Sequence, residues 1–497
     1  MNDNIRKLGY FFITIFSVLA MYLGYLNVIV GPKLSTDPHN RRLAAAEEAV
    51  VRGTIYDRNG IVLAEDRVVN GVKKRLYPRG RETAHLLGFV SQQYGRTGVE
   101  SSFDGYLLAM DDAGRVQAAI DRMLGRQRYG YNVTLTVDAG LQRLALNMLG
   151  GRSGAVVALD PRTGAVLAMV SNPTFDPNTI DEVVRTESAV KDGKTVQNKV
   201  TRYDILKTQI DSAPLLNRAA RGLYPPGSTF KMITGAAALE GRQKPDKITD
   251  CRGSITVEGF VLKDNDVHGQ VDFTEAVSQS CNSYFGELGL ELGQDKIKKA
   301  AQSFGFDIIE YDEKGGTYKG NYPVLSGEIS YNPGTLPSNK MSAPELASTA
   351  IGQGRTLVTP VQMALVAAGI ANRGVIMKPY VLEEVTRRSG GVHKKMSPSV
   401  LNTAVSPETA GILAASMEEA VKRGTASGAR VQGIRVAGKT GSAQNPHGQT
   451  HAWFMGFAPA GDPRIAVAVI VENSGSGGYV STPVAREIIR EYLSNKA

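Results

Sequence analysis

The sequence predicts a protein of mixed α and β structure, and three patterns lead to that fold class. A run of good helix formers extends from Ser228 to Glu240, directly after two prolines and a glycine that cannot propagate a helix. β-Branched and aromatic residues mark two strands, at 434–442 and 452–458. Residues 483–494 have the apolar spacing of an amphipathic helix that packs on a sheet. Residue patterns alone support no finer fold class than this mixture.

An uncharged apolar stretch near residue 1 predicts a membrane span. Residues 8–32 contain no charged side chain, and the aromatic and aliphatic run from Tyr10 to Val30 is long enough to cross a bilayer once. A cleaved signal peptide has a shorter apolar core and a small-residue cleavage site directly after it, and neither is evident here. We therefore expect an uncleaved, single-pass signal anchor at 8–30 after a cytoplasmic stub at 1–7. Basic residues flank the stretch on both sides, so the flanks do not fix its orientation.

Length and charge limit the classes of partner. The chain has 497 residues, which predicts two or three domains with ample core. Its 57 Lys and Arg residues exceed its 48 Asp and Glu residues, which gives a formal net charge of +9. Such an excess suits nucleic acid, an anionic membrane surface or an anionic polymer such as a cell wall. The sequence contains no basic arm, aromatic-interleaved patch or nucleic-acid motif, so we expect no nucleic-acid partner.

Cysteine and histidine usage predicts neither a metal site nor a cofactor. Cys251 and Cys281 form no CxxC pair and can bond to each other only if the fold brings them close, so we expect both to be free. His447 and His451 have ligand-like spacing, but no acidic residue lies between them and they fall in a loop rich in Gly, Pro and Gln. We therefore expect these two histidines to be structural.

A serine followed three residues later by a lysine is the first candidate for catalysis. If Ser228 opens a helix, its side chain and that of Lys231 share one face, and the serine lies at the positive end of the helix dipole. Serine is a poor nucleophile until a base takes its proton. Lys231 can be that base only if burial and a neighbouring cation lower its pKa, and Lys439 is a candidate for that cation. The same spacing occurs at Ser188 and Lys191 in a charged, loop-like stretch, so the pattern alone is a weak signal.

A second polar cluster lies at 280–282. Ser280 offers a hydroxyl that can relay a proton, and Asn282 offers an amide that can hold a substrate amide. Considered by itself, the cluster is explained better as a surface turn.

A third polar cluster closes the first predicted strand. Gly441 has no side chain, so an extended peptide can lie along this strand edge and pair with it. Lys439, Thr440 and Ser442 offer a cation and two hydroxyls to a terminal carboxylate. The competing explanation is a glycine-containing hairpin with ordinary surface polar residues.

In this order the three clusters resemble the active-site signature of the penicillin-recognising acyltransferases. The likeness extends over nearly the whole chain and identifies it as a member of the class B penicillin-binding proteins, in their short type. Residues 52–64 and 96–104 resemble the non-catalytic domain, and residues 134–142 resemble the entry to the transpeptidase domain. Residues 155–170 resemble the first hairpin of that domain, and residues 352–364 resemble a further family element. Cys281 departs from the family, which commonly has serine or another small residue there, and we expect its side chain to point away from the cleft. Many relatives carry a cysteine pair near Cys251, and here the second member of that pair is missing.

The resemblance implies a fold and a division into domains. The fold is α+β, namely the penicillin-binding transpeptidase fold, in which helices flank a five-stranded antiparallel sheet, with a small β-rich N-terminal pedestal and one N-terminal transmembrane helix. The pedestal, a dimerisation-type domain, is expected at 31–128 and the transpeptidase catalytic domain at 129–497. The charged stretch 180–213 is expected to be an excursion from the catalytic core, and 310–344 an irregular segment near the cleft. Since the family's substrate lies outside the cytoplasmic membrane, the catalytic domain is expected outside the cytoplasm.

The resemblance also implies a reaction, the cross-linking of peptidoglycan stem peptides by a D,D-transpeptidase. A serine attacks the D-Ala-D-Ala bond, the terminal D-alanine leaves, and an amine of a neighbouring stem peptide takes the acyl group. β-Lactams are expected to acylate the same serine because they mimic that dipeptide, and a membrane glycosyltransferase is an expected partner. The expected roles are Ser228 as nucleophile, Lys231 as base, Ser280 as proton relay, Asn282 and Thr440 as peptide-positioning residues, Lys439 and Ser442 as carboxylate ligands, Gly441 as part of the peptide-binding edge, and the backbone N–H groups of Ser228 and Ser442 as the oxyanion hole.

Other functions remain open at this stage. A β-lactamase or a D,D-carboxypeptidase would form the same acyl-enzyme and pass it to water. A scaffold that recruits a polymerase through the pedestal and anchor would need no chemistry, although the intact clusters argue against a purely structural role. A bifunctional synthase is disfavoured, because little more than about a hundred residues separate the anchor from the catalytic domain.

Overall fold

The computed structural model describes residues 3–25, 50–69, 72–191, 194–241, 247–309, 330–446 and 448–494. Within these residues the chain begins with helix α1 (Asp3–Tyr25), in which residues 6–25 have a mean hydropathy of 1.7. Twenty helical residues rise about 30 Å, which equals the hydrocarbon thickness of a bilayer. The predicted span is therefore helical and long enough to cross a membrane, and its last residues, 26–30, lie outside the described part of the chain.

The segment that carries the predicted pedestal consists of short strands and helices. Its strands are β1 (Val50–Val51), β2 (Ile55–Tyr56), β3 (Val62–Val69), β4 (Val72–Leu76), β5 (Val90–Ser91), β6 (Gly95–Arg96), β7 (Arg128–Tyr129) and β8 (Asn132–Leu135). Its helices are α2 (Ala84–Leu87), α3 (Gly98–Ser102), α4 (Asp104–Leu107) and α5 (Asp112–Met123), and a 3-10 turn lies at Gly80–Glu82.

A buried ion network joins these pieces. The Glu100 carboxylate is fully buried and accepts from Arg52 Nε at 2.6 Å and from Arg75 Nε at 2.7 Å. Arg75 also lies 3.3 Å from Asp66, and Arg52 also bonds to Asp104. Because two guanidinium groups compensate one buried carboxylate, removal of any partner would leave an uncompensated charge inside the pedestal.

The next part of the chain supplies two strands of the catalytic sheet and the start of its helices. Its strands are β9 (Gly154–Leu159), β10 (Val166–Asn172), β11 (Val183–Lys191) and β12 (Lys194–Thr201). Its helices are α6 (Ala139–Leu149), α7 (Arg202–Thr208), α8 (Arg218–Arg221) and α9 (Lys231–Glu240), with 3-10 turns at Pro177–Thr179 and Gly227–Phe230. The β9–β10 hairpin confirms the predicted one, and the predicted excursion contains the antiparallel ribbon β11–β12.

The rest of the chain adds small hairpins, the buried helices and the remaining sheet strands. Its strands are β13 (Thr249–Cys251), β14 (Ser254–Val257), β15 (Phe260–Lys263), β16 (Gly269–Val271), β17 (Asp307–Ile309), β18 (Thr335–Pro337), β19 (Val375–Met377), β20 (Leu382–Thr386), β21 (Val392–Lys395), β22 (Val400–Thr403), β23 (Ala437–Ala443), β24 (His451–Ala458) and β25 (Ile465–Val471). Its helices are α10 (Phe273–Gln279), α11 (Asn282–Leu292), α12 (Gln294–Ser303), α13 (Ala343–Ala350), α14 (Pro360–Ala371), α15 (Pro407–Lys422) and α16 (Gly477–Ser494), with a 3-10 turn at Ser427–Ala429. Most of the irregular segment predicted at 310–344 lies outside the described residues.

A five-stranded antiparallel sheet forms the centre of the catalytic part, in the order β10-β9-β25-β24-β23. Every residue of β25 is buried, and its side chains alternate between two cores. Val467 and Val469 contribute to the core that contains α6 and α16, whereas Ala466 and Ala468 contribute to the core that contains α9, α14 and α15. A strand covered by helices on both faces has no polar alternation, which explains its continuous apolar sequence. The predicted α+β fold with a helix-flanked, five-stranded antiparallel sheet is confirmed.

A second, six-stranded sheet links the catalytic part to the pedestal, in the order β21-β20-β8-β2-β3-β4. Strand β20 pairs antiparallel with β8, and β8 pairs parallel with β2. Residues 382–395 therefore extend a sheet that begins in the segment 55–76. Backbone hydrogen bonds as well as side-chain packing thus join the pedestal strands to residues 382–395 of the catalytic part.

Candidate active site

The candidate nucleophile lies in a tight turn that leads into helix α9. Ser228 is half-buried in the 3-10 turn Gly227–Phe230, and the α-helix starts at Lys231, three residues later than the sequence predicted. Gly227 has φ +53°, a conformation that favours glycine, and its N–H donates to the Gly352 carbonyl at 2.9 Å. Ser228 and Lys231 are consequently joined by a 3-10 turn and do not lie together inside one α-helix.

Lys231 bonds to the second polar cluster. Its side chain is fully buried, and its Nζ donates to the Ser280 carbonyl at 2.6 Å, to Asn282 Oδ1 at 2.7 Å and to Ser280 Oγ at 3.3 Å. An ammonium has three N–H donors, so these three acceptors match a protonated lysine. Among the described residues, the Ser228 hydroxyl makes no hydrogen bond, and the lysine is directed to the 280–282 turn instead.

Burial lowers the pKa of Lys231 to about 8, because a charged ammonium loses its hydration inside the protein. The negative charge of Asp264 and the thiols of Cys281 and Cys251 act in the opposite direction and raise this pKa. Burial lowers the pKa of Lys439 well below its ordinary value, and repulsion from Lys231 lowers it further. The expected depression of the pKa of Lys231 is therefore present, with burial as its main cause, whereas the repulsion between the two lysines acts on Lys439.

The 280–282 turn is held in an unusual backbone conformation. Ser280 has φ +62°, which is uncommon for a residue other than glycine, and it ends α10 one residue before Cys281 caps α11. The Asp264 carboxylate accepts from the backbone N–H of Asn282 at 2.6 Å and of Ser283 at 2.7 Å. A carboxylate at a helix N-terminus accepts from the free backbone N–H groups there and interacts favourably with the helix dipole. Asp264 therefore holds this turn in place.

Asn282 is oriented from both ends of its amide. Its Oδ1 accepts from Lys231, and its Nδ2 donates to the Lys263 carbonyl at 2.7 Å. Neither Asp264 nor the neighbouring Lys263 carbonyl belongs to a recurrent motif, so sequence reasoning missed both. Cys281 is fully buried, as expected of a side chain directed away from the cleft.

The third cluster lies on β23, which is the edge strand of the central sheet. A Cβ at Gly441 would lie 2.9 Å from the Pro226 carbonyl oxygen and 3.1 Å from Thr229 Cγ2, so this strand packs directly on the turn that carries Ser228. Ser442 is the exposed residue of the strand, whereas Lys439 and its neighbours are buried. The strand therefore presents an edge, a hydroxyl and a buried amine close to the candidate nucleophile.

Thr440 and Lys439 make short-range contacts in this strand. Thr440 Oγ1 donates to Thr425 Oγ1 at 2.9 Å, and the Thr425 N–H donates to the Ser278 carbonyl at 3.0 Å, which ties β23 to the end of α10. Lys439 Nζ donates to the Thr440 carbonyl at 3.2 Å. Sequence reasoning missed Thr425, which stands between two of the three clusters.

The structure thus brings the three clusters together, and the other serine and lysine with the same spacing, Ser188 and Lys191, lie in a different element. Ser188 and Lys191 lie in strand β11 rather than on a helix, and Ser188 Oγ accepts from Gln197. His447 lies outside the described residues, and His451 Nδ1 accepts from the Asn473 N–H at 3.1 Å.

Comparisons with known proteins identify the family of this chain. A model of the penicillin binding protein transpeptidase domain matches residues 154–490, and a model of the penicillin binding protein A dimerisation domain matches residues 52–133. The peptidoglycan D,D-transpeptidase PbpA of Mycolicibacterium smegmatis is 34% identical over 99% of both chains. The protein of the same name from Mycobacterium tuberculosis is 31% identical over 100% of both chains.

Solved structures give the same result. Penicillin-binding protein A from M. tuberculosis, as an imipenem acyl-enzyme complex, superposes with a TM-score of 0.77 at 29% identity, covering 90% of this chain and 100% of that one. Its penicillin G acyl-enzyme complex gives a TM-score of 0.76 at 30% identity, covering 89% and 99%. Both the fold and its short type are therefore as the sequence predicted.

Proposed function

Because the chain belongs to the family of penicillin-binding protein transpeptidases, we propose that it is a peptidoglycan D,D-transpeptidase whose nucleophile is Ser228. One observation carries the assignment of residues. Lys231, buried and with a lowered pKa, bonds to Ser280 and Asn282 beside the turn that holds Ser228. The relatives named D,D-transpeptidases and the β-lactam acyl-enzyme structures support the reaction class.

Acylation begins with attack of Ser228 Oγ on the carbonyl carbon of the penultimate D-alanine. The hydroxyl proton passes to neutral Lys231, and the carbonyl oxygen becomes an oxyanion held by the backbone N–H groups of Ser228 and Ser442. Ser280, 3.3 Å from Lys231 Nζ, relays a proton to the leaving nitrogen, so the terminal D-alanine departs as a free amine. An ester of Ser228 with the stem peptide remains.

The peptide lies along the free edge of β23. Its backbone adds to the sheet as a sixth strand, because β24 is the single sheet neighbour of β23 within the described residues. Asn282 and Thr440 position the peptide amides, and Gly441 keeps the edge close to the nucleophile. The terminal carboxylate binds to Ser442 and Lys439, whose ammonium form is stabilised by that negative charge.

Transfer completes the cross-link. An amine of a neighbouring stem peptide attacks the ester carbonyl and gives up a proton to the same lysine and serine relay. The C–O bond to Ser228 then breaks, and Lys231 returns a proton to Ser228 Oγ, which restores the free hydroxyl. β-Lactams acylate Ser228 because their ring amide and carboxylate occupy the positions of the scissile amide and the terminal carboxylate.

The proposal extends to the membrane anchor and to the protein partner. Helix α1 anchors the chain with a single pass, with the pedestal and the catalytic domain outside the cytoplasm. The pedestal at 31–128 positions the catalytic domain at 129–497 above the membrane and binds a membrane glycosyltransferase that makes the glycan strands. The length and hydropathy of α1 and the match to a dimerisation domain support this arrangement.

A fluorescent penicillin tests the assignment on the full-length chain in detergent micelles. We expect stable labelling of the wild type and of Ser188→Ala, and none of Ser228→Ala. Ser188→Ala is a matched control because it makes the same change in the other serine and lysine pair of this spacing. Rapid loss of the label would instead indicate a β-lactamase, and an unlabelled but folded wild type would indicate a scaffold.

Cross-linking itself needs a separate measurement. Incubation with glycan strands that carry pentapeptide stems should yield joined stem peptides and free D-alanine in equal amounts, detected by mass spectrometry. Release of D-alanine without joined peptides would identify a D,D-carboxypeptidase.

A further inference from the structure

Helix α5 of the pedestal packs on its own domain through small residues. Gly114 and Ala118 are the buried residues of this helix. A Cβ at Gly114 would lie 2.1 Å from the Ala109 carbonyl oxygen, so the helix lies directly on the backbone of the turn before it. The packed face of α5 therefore leaves no room for large side chains.

The opposite face of the helix carries its large apolar side chains. Four such residues are exposed, namely Val116 (63%), Ile120 (43%), Met123 (87%) and Leu124 (57%). Residues at positions i, i+4, i+7 and i+8 lie on one side of a helix, so these four form one apolar stripe. A surface helix normally turns its large apolar residues toward the core, and α5 has the reverse arrangement.

Charged side chains border this apolar stripe unevenly. Arg115 and Arg122, seven residues apart, lie along one side of it, and the exposed Arg126 follows the helix. The exposed carboxylate of Asp112 lies at the N-terminal end of the helix, and Asp121 is half-buried. The C-terminal half of α5 thus combines apolar side chains with cations, which is the composition of a helix that lies in the interface of an anionic bilayer.

The chain enters the pedestal beside this end of the helix. Residues 26–49, which lie outside the described part of the chain, connect helix α1 to strand β1. Strand β1 pairs in parallel with β7, with Val50 opposite Arg128, and β7 begins five residues after the end of α5. The chain that comes from the proposed anchor therefore joins the folded part next to the C-terminal end of α5.

An aromatic ring and a further cation lie at the same end. Tyr129 of β7 is 38% exposed, and the Arg388 guanidinium lies 3.5 Å from the centre of its ring. Arg388 belongs to the turn between β20 and β21, so a second segment of the chain contributes to this surface. Tyrosine and arginine have apolar bodies and polar ends, which suits them to the headgroup region of a membrane.

We propose that α5 lies on the anionic phospholipid bilayer that α1 crosses. The apolar stripe enters the boundary between headgroups and acyl chains to a depth of about 5–10 Å, and Arg122, Arg126 and Arg388 bind lipid phosphates. A bilayer fits this surface because the stripe lies on a single protruding helix and forms no groove for a partner's side chain. This inference rests on the proposed anchorage by α1 and on no step of the proposed reaction.

A membrane contact here gives the pedestal a second attachment besides the anchor. Helix α1 alone fixes the chain to the bilayer at one point, and residues 26–49 separate that point from the first strand of the pedestal. Contact through α5 also fixes the direction in which the pedestal points. The catalytic part follows that direction, because its residues 382–395 extend the pedestal sheet.

Depth-dependent fluorescence quenching tests the contact on the full-length chain. The protein is reconstituted into vesicles of phosphatidylcholine with about one-third phosphatidylglycerol, and a fluorophore is attached to Met123→Cys. Nitroxides on the lipid acyl chains should quench this fluorophore at least about fivefold more than one on Ile248→Cys. Ile248 is the matched control, because it is an apolar residue of the catalytic part and is 64% exposed.

Two results of this experiment would overturn the proposal. One is a fluorophore on Met123→Cys that lipid nitroxides quench no more than the control, since the stripe would then face water or need a protein partner. The other is a fluorophore that is shielded from aqueous iodide and yet not quenched by lipid nitroxides, since a second copy of the chain would then cover the stripe.

Substitutions identify the face and the charges that bind. Ile120→Ser should lower the lipid quenching at Met123→Cys at least about threefold, and the pair Arg122→Gln and Arg126→Gln should lower it in anionic vesicles more than in pure phosphatidylcholine. These side chains are exposed, so the melting temperature should stay the same. Quenching that Ile120→Ser leaves unchanged in a folded chain would contradict the assigned face.

Penicillin labelling in the same vesicles separates this contact from the reaction. Ile120→Ser should be labelled by penicillin at a rate within about twofold of the wild type, because Ile120 lies in the pedestal, outside the three polar clusters. Ser228→Ala should keep the lipid quenching at Met123→Cys while losing all penicillin labelling. Lipid quenching in a chain that penicillin does not label would support the membrane contact and refute only the proposed reaction.

Discussion

The pH dependence of acylation gives the sharpest test of Lys231 as the base. Burial lowers its pKa to about 8, and only the neutral amine can accept the proton of Ser228. With that pKa, about 9% of Lys231 is neutral at pH 7 and about 91% at pH 9, so the acylation rate should rise about tenfold and then level off. With an ordinary pKa of about 10.4–10.5, the same interval would give a rise of about a hundredfold without a plateau.

The assay is the second-order rate of labelling by a fluorescent penicillin from pH 6 to 10, corrected for spontaneous hydrolysis of the reagent. Ser228→Ala gives the background, and circular dichroism at each pH confirms that the chain stays folded. The groups that face Lys231 are Asp264, Cys281 and Cys251, which raise its pKa, and Lys439, whose own pKa is lowered by the charge on Lys231. A rate that is independent of pH, or that falls as pH rises, would refute the role of Lys231 as base.

Two substitutions test the packing that supports the site and the pedestal. Gly441→Ala should cost about 1–3 kcal/mol of unfolding free energy and slow penicillin labelling, because its Cβ would lie 2.9 Å from the Pro226 carbonyl oxygen. Calorimetry measures the stability and penicillin labelling the activity, and an unchanged melting temperature would contradict the prediction. Glu100→Gln should cost about 3–5 kcal/mol of unfolding free energy, measured by denaturant unfolding, because it removes the buried carboxylate that Arg52 and Arg75 share and leaves each guanidinium group with one carboxylate fewer. Glu187→Gln, which removes a carboxylate from an exposed ion pair, is its control and should change stability little.

The order of motifs allowed much of this site to be predicted from the sequence. The sequence predicts strands β23 and β24 to within three residues of their ends, because β-branched residues precede the first and aromatic residues mark the second. Apolar spacing predicts the last helix at 483–494, but α16 starts at Gly477 and contains Pro483. The predicted start of α9 is three residues early, because propensity does not distinguish a 3-10 turn from the first turn of an α-helix.

Contacts between distant segments could not be predicted in this way. Cys251 and Cys281 have no recognisable spacing, and their proximity depends on how β13 packs against the start of α11. Asp264 lies in the hairpin region between them, and its role follows only from the two N–H groups that it accepts. Local patterns identify elements, whereas such a cluster depends on the tertiary structure of three segments.

The hydrogen bonds of Lys231 match its protonated form. Three acceptors around Nζ stabilise the ammonium form, in which the lysine has no lone pair to accept the proton of Ser228. Loss of one proton removes one of these bonds and leaves a lone pair that can turn toward the serine. In the proposed reaction, a substrate carboxylate bound beside Lys439 would favour positive charge on that second buried amine. Since repulsion between two charges is mutual, a charged Lys439 would then favour the neutral form of Lys231, which is the form that the proposed acylation step requires.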